Sequence, residues 1–359
     1  MTSQELLACR LQQQQISMHS CTTVGDVVRN MVAMQAQDYP GVRWSLGLRL
    51  PGFTEAEVDK ALAARAFIRT WAFRGTLHLV SPEDIYTILP LAADRIKQLY
   101  ARQFRELGLD DKTLLKIRKL FEKALAAGKQ LTRGELAELL ESKNEETRHH
   151  RLNFILQRLS LEGVICHAAK RDKEFTFALL QDWVGPGAAM PKEEALGQLA
   201  GRYIQSHGPA TTADFAWWSG ITLGDARRAL ESAGKDLVKE TIGKETYWLM
   251  QNMKAPKPSG ELYLLPGFDE YFIAYKNRDL ILDPANKKPV MGAGNGILSS
   301  TIVHESRIIG TWKRSLIKQQ VQIEIKPFDA LSKTQHQKIK EKLKQYETFM
   351  QIPVLLKNP

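Results

Sequence analysis

A pattern of three helices followed by a hairpin recurs in the middle of this chain, and it constrains the fold more than any other feature. Over residues 112–127, Leu114, Ile117, Leu120, Phe121 and Leu125 fall at helical spacing, and Gly128 ends the run. Thr132-Arg133-Gly134-Glu135 has the Thr-x-x-Glu form of a capping box, in which hydroxyl and carboxylate each accept from the other residue's backbone N–H. A third helix is expected over 147–161. Its apolar stripe is Leu152, Ile155, Leu156 and Leu159, and Arg148, His149, His150, Arg151 and Arg158 lie on its other faces. Residues 164–167 and 175–178 then read as strands joined by a tip that carries Lys170, Arg171 and Lys173. Three helices and a basic-tipped hairpin make a winged helix, whose third helix commonly enters the major groove of DNA.

The same order returns over 192–250. Helices are expected at 193–206, at 214–218 and from Thr222 to about 232, followed by strands at 237–241 and 246–250 around Gly243-Lys244. The parallel spacing predicts an internal repeat. A more divergent third copy fits the N-terminus, with helices near 4–14, 24–37, 43–48 and 54–65 and strands at 67–72 and 76–80 around Phe73-Arg74-Gly75. Lys254 to Gly260 reads as a linker. Strands are then expected at 262–265, 290–291, 297–303, 307–313 and 319–327, with a hairpin tip at Val303 to Arg307, before a basic amphipathic helix at 332–346. The expected fold class is therefore α+β and mainly helical, with three tandem winged helices and a β-rich C-terminal region. The expected units are 1–90, 91–185, 192–250, 260–330 and 331–359.

At 359 residues the chain exceeds what one core usually serves. Its net charge of +10 favours an anionic partner, and lysines and arginines along repeated modules suit the phosphates of duplex DNA. Cys9, Cys21 and Cys166 form no Cys-x-x-Cys pair, which argues against a disulfide framework and a structural zinc site and suits a reducing cytoplasm. No signal peptide or apolar span is visible, nor a Walker loop or dinucleotide fingerprint, so no cofactor, metal or membrane partner is expected. No dimerisation helix is evident, and a monomer is expected. Trp217-Trp218 reads as core.

Gln35-Ala36-Gln37-Asp38-Tyr39-Pro40 stands apart from this frame. Glutamine amides do no proton chemistry, so a pair of them suggests orientation of water or of a polar leaving group. On an ideal helix two residues separated by two project about 200° apart. The expected helix must therefore end near Gln37, which Pro40 makes plausible. Asp38 is the nearest carboxylate and reads equally as a water-polarising or a capping residue. His78 is either an auxiliary group or a hydrogen-bonded wing histidine. Arg74 beside Gly75 is a candidate phosphate contact.

Gln35-Ala36-Gln37, Arg69 to His78, Leu264 to Asp269 and Ile308 to Trp312 together resemble the AlkZ-type DNA glycosylases, a bacterial winged-helix family that includes YcaQ-like enzymes. The resemblance spans essentially the whole chain. It implies a monofunctional enzyme of base excision repair, in the cytoplasm at the nucleoid, that removes purines alkylated at N7 and in some members unhooks interstrand crosslinks. It also implies Gln35 and Gln37 as the catalytic pair. YcaQ-like members carry aspartate at the second position, so Gln37 sets this chain nearer the crosslink-processing branch. The family's DNA-approaching hairpin is placed around 303–308. Candidate DNA contacts are Arg74, Arg148, Arg151, Lys170, Arg171, Lys173, His304, Arg307, Lys313 and Arg314. The alternative reading is a non-catalytic winged-helix regulator.

Overall fold

The computed structural model describes residues 1–257, 260–292 and 296–357. Pro258 and Ser259 of the expected linker, and Asn358 and Pro359 of the expected C-terminal tail, lie outside the described residues. The elements follow in chain order: α1 (Ser3–Gln13), α2 (Val24–Met31), β1 (Ala33–Gln35), α3 (Tyr39–Arg49), α4 (Glu55–Ala63), β2 (Ile68–Trp71), β3 (Leu77–Val80), α5 (Ile85–Leu99) and α6 (Ala101–Glu106). Next come α7 (Asp111–Leu125), β4 (Leu131–Thr132), α8 (Arg133–Glu141), α9 (Arg151–Leu161), β5 (Ile165–Arg171), β6 (Glu174–Leu179) and α10 (Leu180–Val184). Then α11 (Lys192–His207), α12 (Thr212–Ser219), α13 (Leu223–Ser232), β7 (Leu237–Ile242) and β8 (Glu245–Met250). The C-terminal part is β9 (Leu262–Leu265), α14 (Glu270–Ile273), α15 (Lys287–Met291), β10 (Ser300–His304), β11 (Arg307–Ile317), β12 (Gln320–Pro327), α16 (Lys333–Met350) and β13 (Val354–Leu356).

Capping chemistry sets many of these starts. Thr23 with Asp26, Thr54 with Glu57, Thr132 with Glu135 and Thr211 with Asp214 each close a reciprocal box. The stretches 112–178 and 192–250 contain the expected helices and hairpin strands, with the short strand β4 added between α7 and α8 and differences at the margins. α9 begins at Arg151, four residues late, because His149 and His150 lie in the left-handed region at φ +51° and +66°. Arg148, His149 and His150 therefore belong to the preceding loop and not to the helix. The expected strand at 290–291 is the end of α15, and β13 was not foreseen.

The largest departure comes at the N-terminus. α2 stops at Met31, six residues early, and Val32 sits at φ +65°, an uncommon place for a β-branched residue. The chain turns there and enters β1. Pro40 does not stop a helix; it lies in the first turn of α3, where its missing N–H costs nothing.

The strands form three sheets. One has the order β1-β3-β2-β5-β6-β4, so the N-terminal and second units share a sheet, joined through the pair Arg69 and His167. A second has the order β13-β12-β11-β10-β9, and β7 pairs with β8 alone. A continuous apolar core links the units. α16 closes the far end of the chain against α3 and β9. Trp44 meets Tyr346 edge-on at 4.7 Å, and a methyl group at Gly47 would come within 2.5 Å of the Phe349 ring. Among the described residues no helix is long and apolar enough to cross a membrane.

Candidate active site

The motif's geometry follows from β1 ending at Gln35, with Gln37 in the bend before α3. Neither residue is in a helix, so the divergence that a helix would impose on Gln35 and Gln37 does not arise. Ala33, Met34 and Gln35 pair with Val80, Leu79 and His78, and Ala36 N–H still donates to Leu77 O at 2.7 Å. The ladder then ends in a specific way. Ala36 O is taken by Arg69 Nε and Nη2, at 3.2 and 3.0 Å. The Leu77 N–H instead donates to the Gln37 side-chain Oε1 at 3.3 Å. Gln35 Oε1 accepts from Arg74 Nη2 at 3.0 Å. The Gln35 oxygen is thereby anchored on the turn between β2 and β3, and the Gln37 oxygen on the first residue of β3. A carbonyl oxygen has two lone pairs, so each keeps one acceptor site. Gln35 is partly exposed and Gln37 exposed.

Arg69 is buried, has no carboxylate partner among the described residues, and lies 4.4 Å from the Phe175 ring centroid and 5.5 Å from that of Tyr39. Burial lowers its pKa to about 10, which still leaves it charged at neutral pH. Arg74 sits at φ +56° in the turn and also donates to Trp218 O. Its side chain is committed to the motif and to α12.

A group not read from the sequence completes the site. Glu270, 1% exposed, accepts from Gln35 N–H at 2.7 Å and from Trp218 Nε1 at 3.1 Å. His207 Nε2 lies 3.8 Å away, an electrostatic neighbour beyond hydrogen-bond length. Burial pushes the Glu270 carboxyl pKa up. His207, the Gln35 N–H and the Arg74 guanidinium outweigh it and hold the pKa below the usual range. A buried negative charge thus lies directly behind the Gln35 backbone. Next to it in sequence, Asp269 makes a two-pronged ion pair with Arg49, at 2.9 and 3.0 Å, and accepts from Ser45 Oγ. That pair fixes α14 to α3.

His78 faces Gln35 across the ladder but is fully buried. Burial, then the Arg74 charge, lowers its pKa to about 4, so the ring is neutral at physiological pH. Nδ1 lies 2.9 Å from Thr76 O and therefore carries the proton. It is a buried, hydrogen-bonded histidine that does not reach the surface. Asp38 is exposed at the N-cap of α3. Its side chain makes no capping bond and packs over Gly41.

The remaining basic residues divide sharply. Arg151 is buried and clamped to Leu107 O, Glu146 O and Glu145, so it does not reach the surface. Lys170 pairs with Asp59, and Arg171 with Glu135. Arg314 donates to Tyr346 OH. Arg148, Lys173, Arg307 and Lys313 are exposed. His304 is half-buried beside Gln335. The turn at 303–308 is seated on the protein, since Ser306 O accepts from Tyr271 OH and Ile308 N–H donates to Ile281 O. The hairpin of β11 and β12 runs past it, with Leu316 68% and Ile317 40% exposed at its tip.

Three comparisons bear on this arrangement. The family model described as DNA glycosylase AlkZ-like matches residues 28–349. An interstrand DNA cross-link repair glycosylase of Streptomyces sahachiroi is 27% identical over 326 residues, covering 86% of this chain and 87% of that protein. The solved structure of Streptomyces sahachiroi DNA glycosylase AlkZ superposes with a TM-score of 0.83 at 22% identity, over 99% of this chain and 100% of that one, so the two share a fold. With the family match running over nearly the whole length, motif included, the chain belongs to the AlkZ-like family of DNA glycosylases.

Proposed function

We propose that this glycosylase hydrolyses the N-glycosidic bond of purines alkylated at N7 and, like its relative named for cross-link repair, unhooks interstrand crosslinks. The observation that carries the reading is the anchoring of both glutamine amides on neighbouring backbone, Gln35 through Arg74 of the β2–β3 turn and Gln37 through Leu77 at the start of β3. An N7-alkylated purine is cationic, and its bond to the sugar is already weakened. As that bond breaks, its electron pair leaves with the base, which departs neutral. Positive charge develops on the sugar, a water oxygen bonds to the anomeric carbon, and its proton passes to solvent. The free lone pairs of Gln35 and Gln37 orient that water and face the developing charge. Glu270 holds Gln35 in place and adds a fixed negative potential behind it.

The helix–hairpin units ending in β3, β6 and β8 act in this reading as three winged helices on duplex DNA, within the unit boundaries expected from sequence. The protein works as a monomer on damaged duplex. Phosphate contacts come from Arg148, Lys173, Arg307 and Lys313, with Lys170 and Arg171 exchanging their carboxylates for phosphate. The exposed tip of β11 and β12, and not the seated turn at 303–308, approaches the lesion. Membership of a glycosylase family leaves the regulator reading without support.

The test is single-turnover incubation with duplex carrying one 7-methylguanine and, separately, an N7–N7 crosslinked duplex. Release of the free base and separation of the strands are expected. Binding without either product would refute the proposal.

A further inference from the structure

The two tryptophans of α12 have different fates. Trp218 is core, but Trp217 remains 43% exposed. Its indole N–H donates to Ile273 O at 3.0 Å, and Arg278 lies 5.5 Å from its ring centroid, so the ring is held in a fixed orientation. It walls a recess of about 240 Å³ together with Arg74, Arg95, Leu99, Gly220 and Ile221. Leu99, 64% exposed, is a second large apolar side chain left in water there. Neighbouring exposed apolar groups around one concavity mark binding surfaces more often than scattered ones do.

The recess adjoins the reacting centre. Arg74 lines it and donates to Gln35 Oε1, so one side chain separates the two. It is smaller than the ~300–1,000 Å³ clefts that enclose drug-sized molecules, and suits a ring or the end of a larger group. Its charge narrows the choice further. Arg74 and Arg95 line it, Arg278 backs Trp217, and no carboxylate among the described residues lines it. A neutral planar group stacks on the indole and offers its face to guanidinium groups, whereas an ammonium group is repelled.

We infer that this recess is a subsite for the substituent the lesion carries, and that it selects a neutral aromatic group attached to the alkylated purine. Trp217 is its stacking platform and Leu99 its rim. The inference rests on the proposed chemistry at Gln35 and Gln37 and adds the class of adduct.

The experiment measures single-turnover release from otherwise identical duplexes carrying 7-benzylguanine, 7-(2-ammonioethyl)guanine or 7-methylguanine. The native protein, Trp217→Ala and Trp217→Phe are compared. The native protein is expected to prefer benzyl over both other lesions. The benzyl-to-methyl rate ratio falls about tenfold in Trp217→Ala, as loss of one stacking platform implies, and largely recovers in Trp217→Phe. A ratio unchanged in both variants, or ammonioethyl released as well as benzyl, overturns the subsite. A native protein that releases none of the three bases overturns the glycosidic chemistry itself, and the subsite with it.

Discussion

A glutamine amide has no proton to exchange at neutral pH, so its worth at a reacting centre depends on where its oxygen is held. Gln35 is held twice, by Arg74 at its side chain and by Glu270 at its backbone. Removing the Glu270 carboxylate leaves the Gln35 N–H and the Trp218 indole without an acceptor, at about 1–3 kcal/mol each. Glu270→Ala is therefore expected to lose roughly 2–5 kcal/mol of stability in urea unfolding and to slow base release. An unchanged midpoint would deny Glu270 its place. Neither residue's partner is legible locally: Gln35 and Glu270 are 235 positions apart, and a carboxylate next to Asp269 gives no sequence signal. His78, by contrast, is buried on a strand with its ring bonded to the nearby Thr76 O. Its depressed pKa has a consequence for stability. Between about 4 and 6.5 the unfolded chain binds a proton that folded His78 does not, so stability falls as pH drops through that window. His167 and His207, also lowered by burial, add the same sign. The melting temperature is expected to fall between pH 7 and pH 5, and a flat profile would contradict the neutral assignment.

Elements whose apolar residues keep one period throughout were legible, and junctions were not. α7, α8, α11 and α12 announce themselves through stripes and caps, and β7 and β8 through alternation around a Gly-Lys turn. β1 did not, because Val27, Val28 and Met31 continue into Val32, Ala33 and Met34 without a break in hydrophobicity. The change from period 3.6 to period 2 happens at a strained Val32, held by burial that only the tertiary fold supplies. Pro40 misled for a related reason, since a proline stops one helix or starts the next and the sequence does not say which. The hairpin of β11 and β12 has the opposite character, with a tip that packs on little. Replacing Leu316 and Ile317 by serine is expected to change stability by less than about 0.5 kcal/mol while slowing unhooking of a crosslinked duplex. Strand separation at the native rate would remove the tip from the reaction.

Across the whole molecule, the excess of ten positive charges is spread over many units, and only part of it is free for DNA. Arg151 is internal, and Lys170 and Arg171 are paired. Residue type alone could not separate these from Arg148 or Lys173. Duplex affinity is expected to fall linearly on a log–log plot against salt, and each lost phosphate contact reduces the slope by about 0.9. Lys173→Ala should show that reduction in a binding titration, and Arg151→Met should show instead a loss of thermal stability. The reverse pattern would mean that the exposed and buried cations have been assigned wrongly. The chemistry itself is tested most directly by single-turnover release of 7-methylguanine by the Gln35→Ala, Gln37→Ala double variant beside the native protein and Asp38→Asn. Duplex affinity is measured for all three. The double variant should bind duplex as the native protein does and release no base, with Asp38→Asn retaining most activity. Base release surviving in the double variant, or lost in Asp38→Asn alone, would contradict catalysis by the glutamine pair.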